Sequence, residues 1–93
     1  MDVTNAMDPE LLAARLAEAA ESLGLEVREG PADSDGAVVR LRGKKVVFVP
    51  EGALSTKRAE VLALALAQED TEDVFLLPAV REAIEKARSA PEE

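Results

Sequence analysis

The reactive inventory of this chain is short. Nineteen Asp and Glu, eleven Lys and Arg and a few hydroxyls supply nearly all of it, because the 93 residues include no histidine and no cysteine. Every Cys/His zinc site, thiol nucleophile and histidine general base is thereby excluded. Asp33-Ser34-Asp35-Gly36 has the outline of a calcium-loop fragment. The first acid of such a loop would fall on Pro31, however, and its terminal bidentate acid on Arg42, so a plain turn is the simpler reading. Glu69, Asp70, Glu72 and Asp73 could offer oxygen ligands to a hard cation, but they read more simply as a solvated helix end, where acids oppose the helix dipole. Ser55 and Lys57 lie close together without a Gly-x-Ser-x-Gly elbow, and an N-cap serine accounts for the hydroxyl. Arg42-Gly43-Lys44-Lys45 lacks the spacer of a phosphate loop and joins two predicted strands. No catalytic constellation emerges. The expectation is a protein with no enzymatic activity, cofactor or metal; the alternative from another class is an enzyme or enzyme subunit using carboxylate, Ser or Lys chemistry.

Charge patterning says more. From Arg40 to Arg58 six cations stand against Glu51 alone, a net of +5, which leaves −13 to the rest of a chain whose total is −8. Arg40, Arg42, Lys44, Lys45, Lys57 and Arg58 therefore form a basic island on an acidic body and are the candidate binding residues. An acidic protein partner or a small anion fits such an island. Lys57 and Arg58 fall at a predicted helix N-terminus, where cations oppose the dipole and a bridging anion would relieve them. Nucleic acid is disfavoured, though weak binding stays open, because the global field is repulsive and no exposed aromatic platform is evident.

The elements that must position these residues can be read from punctuation and period. Asp8-Pro9-Glu10 marks a helix start, Leu12, Leu16, Ala19/Ala20 and Leu23 recur at helical spacing, and Gly24 is placed to end the helix in the left-handed conformation. Leu25–Glu29 alternates as a half-buried strand, and residues 30–36 (GPADSDG) form a loop. Ala37–Arg42 and Lys45–Pro50 make a hairpin. A type II′ turn at Gly43-Lys44 would set Leu41 opposite Val46, Val39 opposite Phe48, Arg40 opposite Val47 and Arg42 opposite Lys45. That last like-charge pair calls for solvation or an anionic partner. Ser55 or Thr56 caps a second helix running to about Gln68. Thr71 can cap a further turn, and Val74–Leu77 reads as a short buried run. Pro78 opens a third helix that buries Val80, Ala83/Ile84 and Ala87, with Arg81–Glu85 and Glu82–Lys86 paired at i,i+4.

The resulting expectation is an α+β fold: one small domain over residues 8–88, in the order α-β-β-β-α-α, with tails at 1–7 and 89–93. A three-stranded, mainly antiparallel sheet packs on the helices. No basic n-region precedes an apolar stretch at the N-terminus, and the longest apolar run, Val61–Ala67, is far short of a membrane span of about 20 residues, so the cytoplasm is the expected compartment. That run (VLALALA) makes its helix apolar on nearly every side, and self-association is one way to cover it.

A hairpin, a short connection and the helix RAEVLALALAQE resemble the core of minimal zincin-like domains over residues 37–68. The resemblance implies a metal-binding helix carrying His-Glu-x-x-His, whose metal and base positions would be Leu64, Ala65 and Gln68. None of the three can ligate zinc or act as base there, so no functional residue carries over, and the resemblance implies a metal-free scaffold kept for binding. In general appearance the chain is also similar to short bacterial proteins. Together these readings point to a non-enzymatic, cytosolic protein–protein interaction module, a homodimer or a binder of an acidic partner.

Overall fold

A computed structural model describes residues 8–89. Its elements are α1 (Pro9–Ser22), β1 (Glu26–Gly30), β2 (Ala37–Leu41), β3 (Lys44–Pro50), α2 (Ser55–Ala67) and α3 (Pro78–Ser89), the expected order in a single α+β domain. The expected tail at 1–7 lies outside the described residues, as do positions 90–93 of the expected C-terminal tail; Ser89 belongs to α3.

The first helix begins and ends where its punctuation says. The Asp8 carboxylate accepts the Glu10 N–H at 3.2 Å, and Pro9 occupies the first turn. At the other end Gly24 takes φ +90°, the Gly24 N–H donates to the Glu21 carbonyl, and the Leu25 N–H reaches back to the Ala20 carbonyl, both at 3.0 Å. This double bond set is the Schellman arrangement, which a glycine permits without steric cost. It delivers Leu25 directly into the core.

The sheet has the order β1-β3-β2, with β3 in the middle. β3 runs parallel to β1 and antiparallel to β2, so the sheet is mixed, where the hairpin by itself suggested a mainly antiparallel one. The loop at residues 31–36 carries the chain from one edge of the sheet to the other, leaving the central place for β3. The Glu51 N–H closes that end on the Gly30 carbonyl at 3.0 Å.

The hairpin register differs from the expected one by two residues. Leu41 pairs with Lys44, Arg40 with Lys45, Val39 with Val46 and Val38 with Val47, around a turn made of Arg42 and Gly43. Both turn residues have positive φ, 53° and 81°, which is type I′ rather than II′. Type I′ matches the right-handed strand twist, and Gly43 fits its second position; the left-handed conformation of Arg42 costs about 1–2 kcal/mol. The like-charge pair is consequently Arg40–Lys45, not Arg42–Lys45. A shift of two preserves the faces, so Val39, Leu41, Val46 and Phe48 still share one side. The helices pack on the opposite side, where Val47 and Val49 join the core with Leu25.

α2 lies at the centre of that core, flanked by α1, α3, β3 and β2. Within Val61–Ala67, Val61, Leu62, Ala63, Ala65 and Leu66 are buried and Leu64 alone is exposed, at 45%. The chain thus covers this run itself, and the burial argument for self-association contracts to Leu64. The N-cap of α2 is Leu54, without a side-chain bond, in place of the expected Ser55 or Thr56; helical geometry has already begun at Ser55. The polar break forms a turn closed by the Val74 N–H on the Thr71 carbonyl, with no further helix. Val74–Leu77 is not the buried run expected. Leu76 is buried, but Phe75 projects outward at 82% exposure. On α3, Val80 and Ile84 are buried as expected, whereas Arg81–Glu85 and Glu82–Lys86 do not close into ion pairs; Glu85 instead lies 3.5 Å from Arg88. Exposed pairs of this kind are worth too little to fix long side chains.

One contact shows how tightly the loop is drawn onto α2. Gly36 has φ +89°, and a Cβ there would stand 2.8 Å from both Val61 methyls. Gly36→Ala therefore combines left-handed strain with overpacking and is expected to destabilise the fold by about 1–3 kcal/mol in urea unfolding. Leu66→Ala, which opens a cavity at a fully buried position, is expected to cost about 2–5 kcal/mol.

Candidate interaction surface

The fold divides the basic island. β3 runs outward from the hairpin turn and α2 returns antiparallel to it, so the C-terminal end of α2 meets the hairpin while its N-terminal end lies far away. Lys57 and Arg58 stand at that far end, separated from the hairpin by roughly 16 Å of helix. Arg40, Arg42, Lys44 and Lys45 remain together at the tip. Lys57 approaches Glu60 at 4.0 Å within its own helix. The six candidate residues are two clusters, not one.

Lys45 is already engaged. Its Nζ donates to Glu69 Oε2 at 2.7 Å, with the Glu69 side chain largely buried. On the same side of the sheet Arg40 lies beside Lys45, and Glu69 supplies internally an anion for the Lys45 half of that like-charge pair. The acidic break after Gln68 is also given a purpose. The Arg88 guanidinium donates to the Ala67 carbonyl at 3.1 Å, an orphan acceptor at the end of α2, and to the Glu69 carbonyl at 3.0 Å in the turn that follows. The exposed Asp70 carboxylate accepts the Glu72 N–H at 3.1 Å within the turn. Among the described residues no three carboxylates converge as a metal site. Neither Glu69 nor Arg88 could be assigned these roles from sequence, since their partners are 19 to 24 positions away; the only local signal was a cation in the last turn of α3.

Arg40, Arg42 and Lys44 are exposed, and among the described residues they close no ion pair within 4.0 Å. They line the end of β2, which is an edge strand. At the opposite end of β2 stand Asp33 and Asp35, also exposed, on the loop that Ser34 fastens through its hydroxyl to the Pro31 carbonyl at 2.9 Å. Beside the strand runs a shallow groove bounded by Gly36, Val38, Val61, Leu64 and Gln68. Leu64, Ala65 and Gln68, the positions singled out by the zincin-like resemblance, thus sit along the β2 side of α2: Leu64 and Gln68 exposed, Ala65 buried. Their side chains offer apolar contact and one amide. Comparison with protein-family models, with curated proteins and with solved structures finds no match to this chain. No helix among the described residues is long and apolar enough to cross a membrane.

The Lys45–Glu69 bridge spans two elements and is half-shielded. A double-mutant cycle with Lys45→Met and Glu69→Gln is expected to give a coupling of roughly 0.5–1 kcal/mol in chemical denaturation, reduced in 1 M salt. Arg88→Ala is expected to lose about 1–2 kcal/mol, with amide exchange rising first at residues 66–70.

Proposed function

We propose that this protein is a non-enzymatic protein–protein interaction module of the cytoplasm that self-associates and meets an acidic partner through the tip of its hairpin. The observation that carries this reading is a set of three cations, Arg40, Arg42 and Lys44, unpaired among the described residues and gathered at one end of an exposed edge strand. An acidic body bearing one basic projection orients an acidic partner by its field, and such steering weakens with salt. The edge strand adds main-chain groups to which an extended segment can bond. Lys57 and Arg58 are too distant to share that contact, and Lys45 is committed to Glu69.

Poly-L-glutamate serves as the probe. Amide chemical shifts on titration at low salt are expected to move in residues 38–45, leaving residues 55–60 unaffected. Arg40→Glu combined with Lys44→Glu is expected to weaken binding at least about tenfold, the equivalent of 1.4 kcal/mol, with an unchanged far-ultraviolet spectrum. Equal affinity in the double variant, or shifts centred on Lys57 and Arg58, would overturn the assignment.

A further inference from the structure

We infer that the partner of the β2 edge is the β2 edge of a second copy of this chain, joined antiparallel about Val39 to make a continuous six-stranded sheet. The inference deepens the interaction reading above and rests on it. The backbone supplies the template. With Leu41 and Lys44 flanking a two-residue turn, Leu41, Val39 and Ala37 direct their N–H and C=O groups at β3. Val38 and Arg40 direct theirs away from the sheet, and an edge left in this state is a template for pairing.

Charge selects the occupant. β2 is bracketed by Asp33 and Asp35 before its first residue and by Arg40, Arg42 and Lys44 at its end. An antiparallel copy reverses that polarity and lays the basic end of each strand alongside the acidic loop of the other. A parallel arrangement would stack like on like. The register follows from the same test. Centring on Arg40 would set two guanidinium groups opposite each other, which is destabilising. Centring on Val38 would place Leu41 beside Asp35. Centring on Val39 pairs Leu41 with Ala37 and Arg40 with Val38, and lets the outward groups of Val38 and Arg40 bond across the junction.

The apolar surface agrees with this arrangement. Val38 at 37% exposure, Leu41 at 47% and Leu64 at 45% lie on or beside this edge. Val39 and Leu41 share a face with Val46 and Phe48, so the junction would extend that strip from one copy into the next. On the other face the two Leu64 side chains would approach each other beneath the joined sheets.

The absence of cysteine makes the test clean. Val39 would sit opposite its own copy in a non-hydrogen-bonded pair with Cα atoms about 4.5 Å apart, within the span a disulfide bridges. Val39→Cys, oxidised in dilute solution, is expected to become a covalent dimer in most chains, whereas a cysteine at exposed Thr56, remote from the edge, is not. Sedimentation equilibrium of the native chain is expected to show a dimer that dissociates at least about tenfold more readily in 1 M salt. Val38→Lys, which sets a cation opposite Arg40 at an exposed site, is expected to leave a folded monomer. A strict monomer up to about 1 mM, or a dimer that Val39→Cys fails to trap, overturns the inference. The poly-L-glutamate titration separates the two proposals: a monomer that still binds the probe through residues 38–45 sinks self-association and leaves the acidic-partner reading standing, and a monomer that does not bind it sinks both.

Discussion

Covering α2 is the requirement that organises the rest of the domain. A helix whose run Val61–Ala67 is apolar all round has to be enclosed, and a chain of this size has few elements to do it with. α1 and α3 take two sides, β3 brings Val47 and Val49 to a third, and the loop before β2 closes the fourth by pressing Gly36 onto Val61. The abundance of alanine makes such enclosure feasible. Ala59, Ala63 and Ala65 let neighbouring elements approach closely, so Leu16, Leu62, Leu66 and Ile84 can fill the space between them. The aromatic residues contribute little to this core: Phe75 faces solvent and Phe48 lies on the other side of the sheet.

Enclosing a helix so fully creates an electrostatic difficulty at its end, and the charges of the chain are arranged to meet it. The last carbonyls of α2 need donors, and the acids that follow Gln68 oppose the dipole. Arg88 from α3 and Lys45 from β3 converge there, one on carbonyl oxygens and one on the Glu69 carboxylate. The Lys45 half of the hairpin's like-charge pair and the acceptors at the helix end are met by the same three residues. This ties the sheet, the central helix and the final helix at one corner, and it removes Lys45 from any account of binding.

Much of the architecture was legible in the sequence because local signals and global needs agree. Asp8-Pro9 and Gly24 bound the first helix, Pro78 opens the third, and alternation marks β1. What escaped reading depended on contacts between distant residues. The hairpin turn could be placed on Gly43-Lys44 or on Arg42-Gly43. The second required an arginine to accept positive φ, a local cost set against a type I′ turn whose twist matches that of the strands it joins. Parallel pairing of β1 with β3 is likewise invisible to period-two patterning, which reports faces and not neighbours. Phe75 misled for a related reason: four apolar residues in a row in an irregular segment cannot all point inward. The basic island looked single because sequence distance stood in for spatial distance. An antiparallel return from β3 to α2 carried Lys57 and Arg58 to the opposite end.

The region best placed to meet another molecule is therefore defined by backbone and charge instead of reactive side chains. Where the zincin-like pattern would put ligands, the chain presents Leu64 and Gln68 along a groove beside β2, with Ala65 buried beneath. That leaves the groove with apolar contact and the neighbouring edge with amides unpaired among the described residues, the combination on which the proposed pairing with an extended segment rests. Specificity then has to come from what flanks the strand. Two acids before β2 and three cations at its end give the edge a direction, favouring a segment of opposite polarity and penalising the same segment reversed. Short length and flanking charge are also the means by which folded proteins keep edge strands from aggregating. In β2 the two roles coincide: the charges that repel a misaligned neighbour are the ones that would admit a correctly aligned one.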